Sequence, residues 1–141
     1  MCRVTGISDS TKQIARAFYE SYNQKDLDAS FDTYISKDLV NHVMGGAYGR
    51  DGWRDFDKTL FPAFENLTLT VLDQIAEGNK VATRYTLGGT QTGEFFGIAP
   101  EGNRAFIHAT SVDRVEGGLI AEHWTDLDFA EFLQQLSADS D

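Results

Sequence analysis

Apolar residues recur every four positions at Ile14, Phe18 and Tyr22, with Ala15 and Tyr19 beside them, after a run containing Ser8, Ser10 and Thr11. This spacing keeps one side of a helix apolar, and the hydroxyl residues before it are N-cap candidates. An amphipathic helix ending near Asn23 is predicted. Leu27, Phe31 and Ile35 predict a second, shorter helix that closes before Asp38. Leu39-Val40-Asn41-His42 reads as a short strand, and Gly45, Gly46 and Gly49 as a loop. Trp53, Phe56, Leu60 and Phe64 return to helical spacing, and Pro62 bends or ends that third helix.

The period then changes from four to two. Leu67, Leu69 and Val71 alternate with polar neighbours in a strand reaching Ala76, and Gly78-Asn79 is a two-residue hairpin signal before a returning strand from Lys80 to Leu87. The glycine-rich stretch from Gly88 to Gly102 predicts a bulged excursion with a turn at Pro100-Glu101-Gly102-Asn103. Ala105 to Val115 and Leu119 to Thr125 pair across Gly117-Gly118, and Phe129 to Leu136 gives a last helical turn or two. Helices first and a meander afterwards define an α+β fold, with three N-terminal helices packed on a curved antiparallel or mixed sheet. A single domain over residues 1–141 is expected, with 1–8 and 137–141 as flexible tails. Such a wrapped sheet encloses a conical cavity on its helical side. Its other face needs cover, so a homodimer is expected.

The chain has 141 residues, enough to bury a core, and its ten Phe, five Tyr and two Trp either fill that core or line a cavity with rings. Phe18, Tyr22, Phe56 and Tyr85 are the candidate rings. A net charge of −10 repels phosphate backbones and anionic headgroups, which argues against nucleic acid and membrane as partners. No run approaches the ~18 apolar residues of a membrane span. Arg3 is followed by no apolar run of the signal-peptide kind, so a cytoplasmic location is expected. The single Cys2 excludes an internal disulfide. His42, His108 and His123 show no paired ligand spacing, Gly88-Gly89-Thr90 lacks the Lys of a phosphate loop, and no Gly-x-Ser-x-Gly elbow is present. Neither metal nor organic cofactor is expected.

Several blocks in order carry a family resemblance. They are Phe61-Pro62-Ala63-Phe64, Ala76 to Arg84, Gly89-Thr90-Gln91-Thr92-Gly93-Glu94-Phe95, Gly97-Ile98-Ala99-Pro100, and Arg114 to Trp124 with Asp128 and Gln134-Gln135-Leu136. The chain resembles the SnoaL-like polyketide cyclases of the nuclear transport factor 2-like superfamily over nearly its whole length. The resemblance implies an α+β cone, usually dimeric, that closes rings of polyketides by intramolecular aldol chemistry without a cofactor. It also implies an acid/base Asp late in the last strand, at the position of Thr125, and a helper His at the position of Ser111. A hydroxyl is too weak an acid for that task, so the aldol machinery does not carry over as it stands.

The resemblance further implies Asn41 as a pocket amide and Tyr22 as a pocket ring. If Thr125 points inward, strand alternation brings His123 with it, and Ser111 with Ala109 shares the inward face of the neighbouring strand. His123 is the best titratable candidate. Asp126 is the candidate replacement acid, Asp128 a helix cap or a second acid, and His108 belongs on the opposite face. The expected substrate is a small hydrophobic organic molecule, polyketide-like. Ring closure by positioning and hydrogen bonding is the leading reading. Epoxide opening with Asn41 orienting water, a non-catalytic binding module, and dehydratase or isomerase chemistry on a His–Asp pair remain open beside it.

Overall fold

The computed structural model describes residues 6–43 and 49–137; Gly45, Gly46 and most of both expected tails lie outside them. Helix α1 (Ile7–Glu20) is followed by a 3₁₀ turn (Ser21–Gln24), helix α2 (Leu27–Tyr34), strand β1 (Ile35–Asn41), and helices α3 (Arg50–Lys58) and α4 (Leu60–Ala63). Four strands follow, β2 (Phe64–Glu77), β3 (Lys80–Gln91), β4 (Arg104–Glu116) and β5 (Leu119–Leu127), and helix α5 (Phe129–Ser137) closes the chain. The sheet order is β1-β5-β4-β3-β2, antiparallel except where β1 runs parallel to β5. The α+β reading holds, and the helix count changes.

The expected third helix is two pieces. Pro62 offers no N–H to the carbonyl of Lys58 and its ring crowds that carbonyl, so the helix breaks at Thr59, whose N–H turns instead to Phe56 O at 3.0 Å. Ile35, counted as helical in sequence, opens β1 and pairs with Ile120. Helix α1 begins at Ile7, inside the expected tail. Ser8 and Thr11 do not cap it. Ser8 Oγ accepts Gly78 N–H at 2.9 Å and Thr11 Oγ1 donates to Gly78 O at 2.9 Å, tying the helix to the β2–β3 hairpin. Both hairpin signals form as expected, with Gly78, Gly117 and Gly118 at positive φ.

The core lies between the helices and the concave face of the sheet. Phe18 is fully buried at its centre, edge-on to Tyr19, Tyr22, Phe31, Tyr34 and Trp53 at centroid distances of 4.9 to 6.3 Å. Each such pair adds about 0.5–1.5 kcal/mol beyond area burial. Along β4 the odd-numbered residues Ala105 to Asp113 face this core, whereas His108 is exposed on the other face.

Strand β3 continues through Gly88 and Gly89 to Gln91, so the predicted excursion begins later, at Thr92. The reason is close approach: a Cβ on Gly88 would lie 2.0 Å from Ala105 O and 2.6 Å from Phe106 Cα. Gly88→Ala is therefore expected to lower stability by roughly 2–4 kcal/mol through forced separation of β3 and β4, read as a lower urea midpoint.

Candidate functional site

Strand β4 places Ser111 and Asp113 on the concave face, and β5 places His123 and Thr125 opposite them, through the pairs Asp113–His123 and Ser111–Thr125. The side chains join in one continuous run. Asp113 Oδ1 lies 2.6 Å from His123 Nδ1, His123 Nε2 lies 2.6 Å from Thr125 Oγ1, Thr125 Oγ1 lies 2.9 Å from Ser111 Oγ, and Ser111 Oγ lies 3.0 Å from Tyr85 OH. Tyr19, reaching across from α1, donates its hydroxyl to Asp113 Oδ2 at 2.7 Å. Asp113 and Ser111 are fully buried and His123 nearly so.

A carboxylate only accepts, so His123 Nδ1 carries a proton toward Asp113. In the neutral imidazole Nε2 accepts from Thr125, and the hydroxyls point toward the histidine. In the imidazolium Nε2–H donates to Thr125, and the run reverses, leaving Tyr85 OH free to donate outward. Removal from water, and the nearby Asp113 carboxylate, hold Tyr19 protonated far above the usual phenol range; burial does the same for Tyr85. Both phenols remain donors at any working pH.

Helix α3 covers this run. The Trp53 ring lies parallel on His123, with centroids 3.8 Å apart and planes 15° from coplanar. One turn later Asp57 Oδ2 accepts both the Trp53 indole N–H at 3.0 Å and the Tyr22 hydroxyl at 2.5 Å. Withdrawal from water raises the Asp57 carboxyl to about 6, against the opposing pull of its bonds to Tyr22 and Trp53 and of His123. Asp113 and Asp57, the two carboxyls of this centre, were both missed in sequence. Asp113 shares the inward alternation of Ser111, and Asp57 follows Trp53 by one helical turn. Either spacing, followed without regard to polarity, would have found them.

The predicted site residues divide. His123, Tyr22, Tyr85, Ser111 and Thr125 come together as expected. Asn41 is buried at the β1 position paired with His123, and its Oδ1 accepts Val43 N–H at 3.0 Å. Phe18 is core, not pocket wall, because five rings enclose it. Phe56 is 45% exposed and meets Phe96 at the surface, because the inward stripe of α3 runs through Trp53 and Asp57. Asp126 is exposed opposite Thr110 on the outer face, with the sheet between it and His123. Asp128 caps α5, accepting Glu131 N–H at 2.9 Å. His42 points outward, stacked on Trp124 at 4.7 Å and paired with Glu122 at 2.6 Å.

The expected open hollow is differently filled. Two depressions of about 420 and 370 Å³ open at the surface, one around Leu72, Tyr85, His108, Ala109, Asp126 and Leu127, the other beside Lys37 and Gly49–Gly52. Neither is lined by His123, Ser111 or Thr125, since the Trp53 ring occupies the space against His123. Among the described residues no cluster of His, Cys, Asp and Glu could hold a metal ion, and no helix is long and apolar enough to cross a membrane.

A helix-lined cone on a five-stranded mixed sheet, with polar side chains converging inside it, defines a nuclear transport factor 2-like domain. The family profile described as SnoaL-like polyketide cyclase matches residues 12–136, and the chain belongs to that family. Among solved structures it is similar to IdmH from Streptomyces antibioticus, assigned as a polyketide cyclase, at 32% identity and TM-score 0.77, covering 91% of this chain and 99% of that one. It is similar to TsrD from Streptomyces laurentii at 28% identity and TM-score 0.80, over 93% and 97% of the two chains. AclR from Streptomyces galilaeus, assigned as a hydroxylase, is 26% identical with TM-score 0.84, over 95% and 89%. Among curated proteins none matches the sequence.

Asp57 yields a stability prediction. Its folded pKa, about 6, lies above the ordinary 3.8, so the folded chain binds this proton more tightly than the unfolded one. The stabilisation is complete below about pH 4 and is lost as pH rises through about 6. Asp57→Asn keeps the acceptor for Tyr22 and Trp53 without the charge. At pH 8 it is expected to exceed the parent by roughly 1–2 kcal/mol, less than the full ~1.4 kcal/mol per unit because the group is only half-buried. Thermal melts from pH 4 to 8 should show the gap closing toward pH 4.

Proposed function

We propose that this SnoaL-like protein is a cofactor-free cyclase that closes a ring in a polyketide-like or other hydrophobic natural-product intermediate. Positioning and hydrogen bonding do the work, and the protein acts in the cytoplasm as a homodimer. One observation carries the reading: the unbroken run from Asp113 through His123, Thr125 and Ser111 to Tyr85. With His123 protonated, every hydroxyl in the run turns outward, and Tyr85 OH presents a donor already oriented by four fixed groups. A preorganised donor aimed at a carbonyl stabilises the negative charge that grows on its oxygen as the ring closes, without solvent having to reorganise. Tyr85 is stacked on Tyr19 at 4.7 Å, so its hydroxyl has little freedom to turn away. Asn41 Nδ2, free of partners among the described residues, is a further donor on the β1 side of His123. The aromatic walls hold a flexible chain in a folded form, where effective concentration contributes most. The dimer is supported by the exposed Val40 and Ile75 on the outer face of the sheet, apolar surface that a second sheet would cover.

The test is incubation with linear aromatic polyketide intermediates, read by mass spectrometry and ultraviolet absorption. The cyclase gives a ring-closed isomer or its dehydrated form; gain of one water marks hydrolysis, and unchanged ligand with a raised melting temperature marks a binding module. Tyr85→Phe keeps the ring stack on Tyr19 and removes the donor, so kcat is expected to fall by about 10²–10³-fold with the fold intact. A rate unchanged in this variant refutes the donor role.

A further inference from the structure

The hydroxyl run of the strand wall supplies donors rather than a base. Asp57 meets the requirement from the opposite wall. On α3 the other acids are engaged with cations at the surface: Asp51 and Asp55 lie 3.4 and 3.2 Å from Arg54, and Asp28 of α2 lies 3.2 Å from Lys58. Asp57 has no lysine or arginine partner among the described residues. It is turned inward, held by a phenol and an indole on Oδ2, while Oδ1 accepts nothing from the described residues. A carboxylate fixed in this way keeps one oxygen aimed and one oxygen available. An anion with no lysine or arginine beside it in a partly dry place is costly, and carboxyls perturbed in this way gather at functional sites.

We propose that Asp57 is the group that exchanges protons with the substrate, acting from the helical wall of the cone. The inference rests on the cyclase reading of the same site. Asp57 Oδ1 takes a proton from the carbon next to a carbonyl; the C–H electron pair becomes an enolate whose oxygen is held by Tyr85. The enolate carbon attacks a second carbonyl of the same molecule, forming the C–C bond and an alkoxide. The Asp57 acid returns the proton to that alkoxide. Atoms balance as an isomerisation, with no co-reactant. The groups facing Asp57 are Tyr22 from the 3₁₀ turn, Trp53 from its own helix and His123 from β5; Asp57 and Asp113 both act on Tyr22 and Tyr85 between them. The raised carboxyl, about 6, makes it half ionised near that pH and a stronger base than a surface aspartate.

The experiment needs no knowledge of the natural substrate. 5-Nitrobenzisoxazole is a flat carbon acid: loss of its C–H proton to a base breaks the N–O bond and releases a coloured cyanonitrophenolate. Wild-type protein is expected to turn it over with a rate that rises through about pH 6 and levels off, following Asp57. Asp57→Asn should lose about 100-fold or more of that rate while melting higher than the parent, a pair of effects that structural damage cannot produce. Asp57→Glu should restore part of the rate. Asp55→Asn, a surface acid of the same helix, should leave it unchanged. Turnover that survives Asp57→Asn overturns the assignment, as does a wild-type rate no greater than that of free acetate. Ring closure of a polyketide that survives Asp57→Asn overturns Asp57 and leaves the cyclase. Probe turnover that depends on Asp57, with no polyketide closed, keeps Asp57 and overturns the cyclase.

Discussion

The fully buried carboxylate of Asp113 constrains the rest of the site. A charge in that position is tolerated only if both oxygens are satisfied by donors, and among the described residues no backbone N–H, lysine or arginine supplies them. The donors come from two distant parts of the chain, Tyr19 on α1 and His123 on β5. Helix α1 is thereby registered against the sheet, and the imidazole of His123 is fixed in plane and tautomer. From that fixed ring the hydroxyls of Thr125, Ser111 and Tyr85 take their order. Trp53 takes its position from the flat face His123 presents, and Asp57 takes its position from Trp53.

Much of this architecture is legible in sequence because it rests on periodicity. The four-residue stripe of α1, the two hairpin turns and the alternation of β4 and β5 each follow from apolar spacing. Together they put Ser111, His123 and Thr125 on one face. What was not legible breaks that same rule. Asp113 and Asp57 lie at positions where the period asks for an apolar residue, and a reader sorting by polarity assigns them to solvent. Phe56 shows the converse: it fits the apolar count, yet α3 turns it outward so that Asp57 can turn in. Gly88 and Gly89 read as loop formers because glycine suits loops, whereas here the absent side chain lets β3 lie against β4 and β2.

Thr125 is the position at which this chain departs from the chemistry its family resemblance implies. Replacing a carboxylic acid by a hydroxyl there removes a proton carrier and adds a link to the donor run. The strand wall thus becomes a purely hydrogen-bonding surface, with its negative charge drawn back to Asp113, beyond His123. A base facing the substrate must then come from the helices. The α3 stripe of Trp53 and Asp57 is the element placed to provide it, since the Trp53 ring stacks on the imidazole and its indole N–H donates to Asp57.

Local costs separate the features that favour the folded chain from those that do not. The Trp53 stack, the Phe18 cluster and the Asp128 cap all favour the folded chain. Asp57 does the opposite near neutral pH, because the fold would hold a neutral amide there more easily than a carboxylate. Violations of local consistency in an otherwise well-satisfied domain gather at sites of function. Among the described residues, Asp57 is a carboxylate whose environment works against its charge while a surface lysine or arginine, abundant one turn away on the same helix, is withheld from it. A folding argument alone would have moved that charge outward to join Asp51 and Asp55. Its retention inside the cone, beside the donors of the sheet wall, is the physical reason to seek the reaction between those two walls.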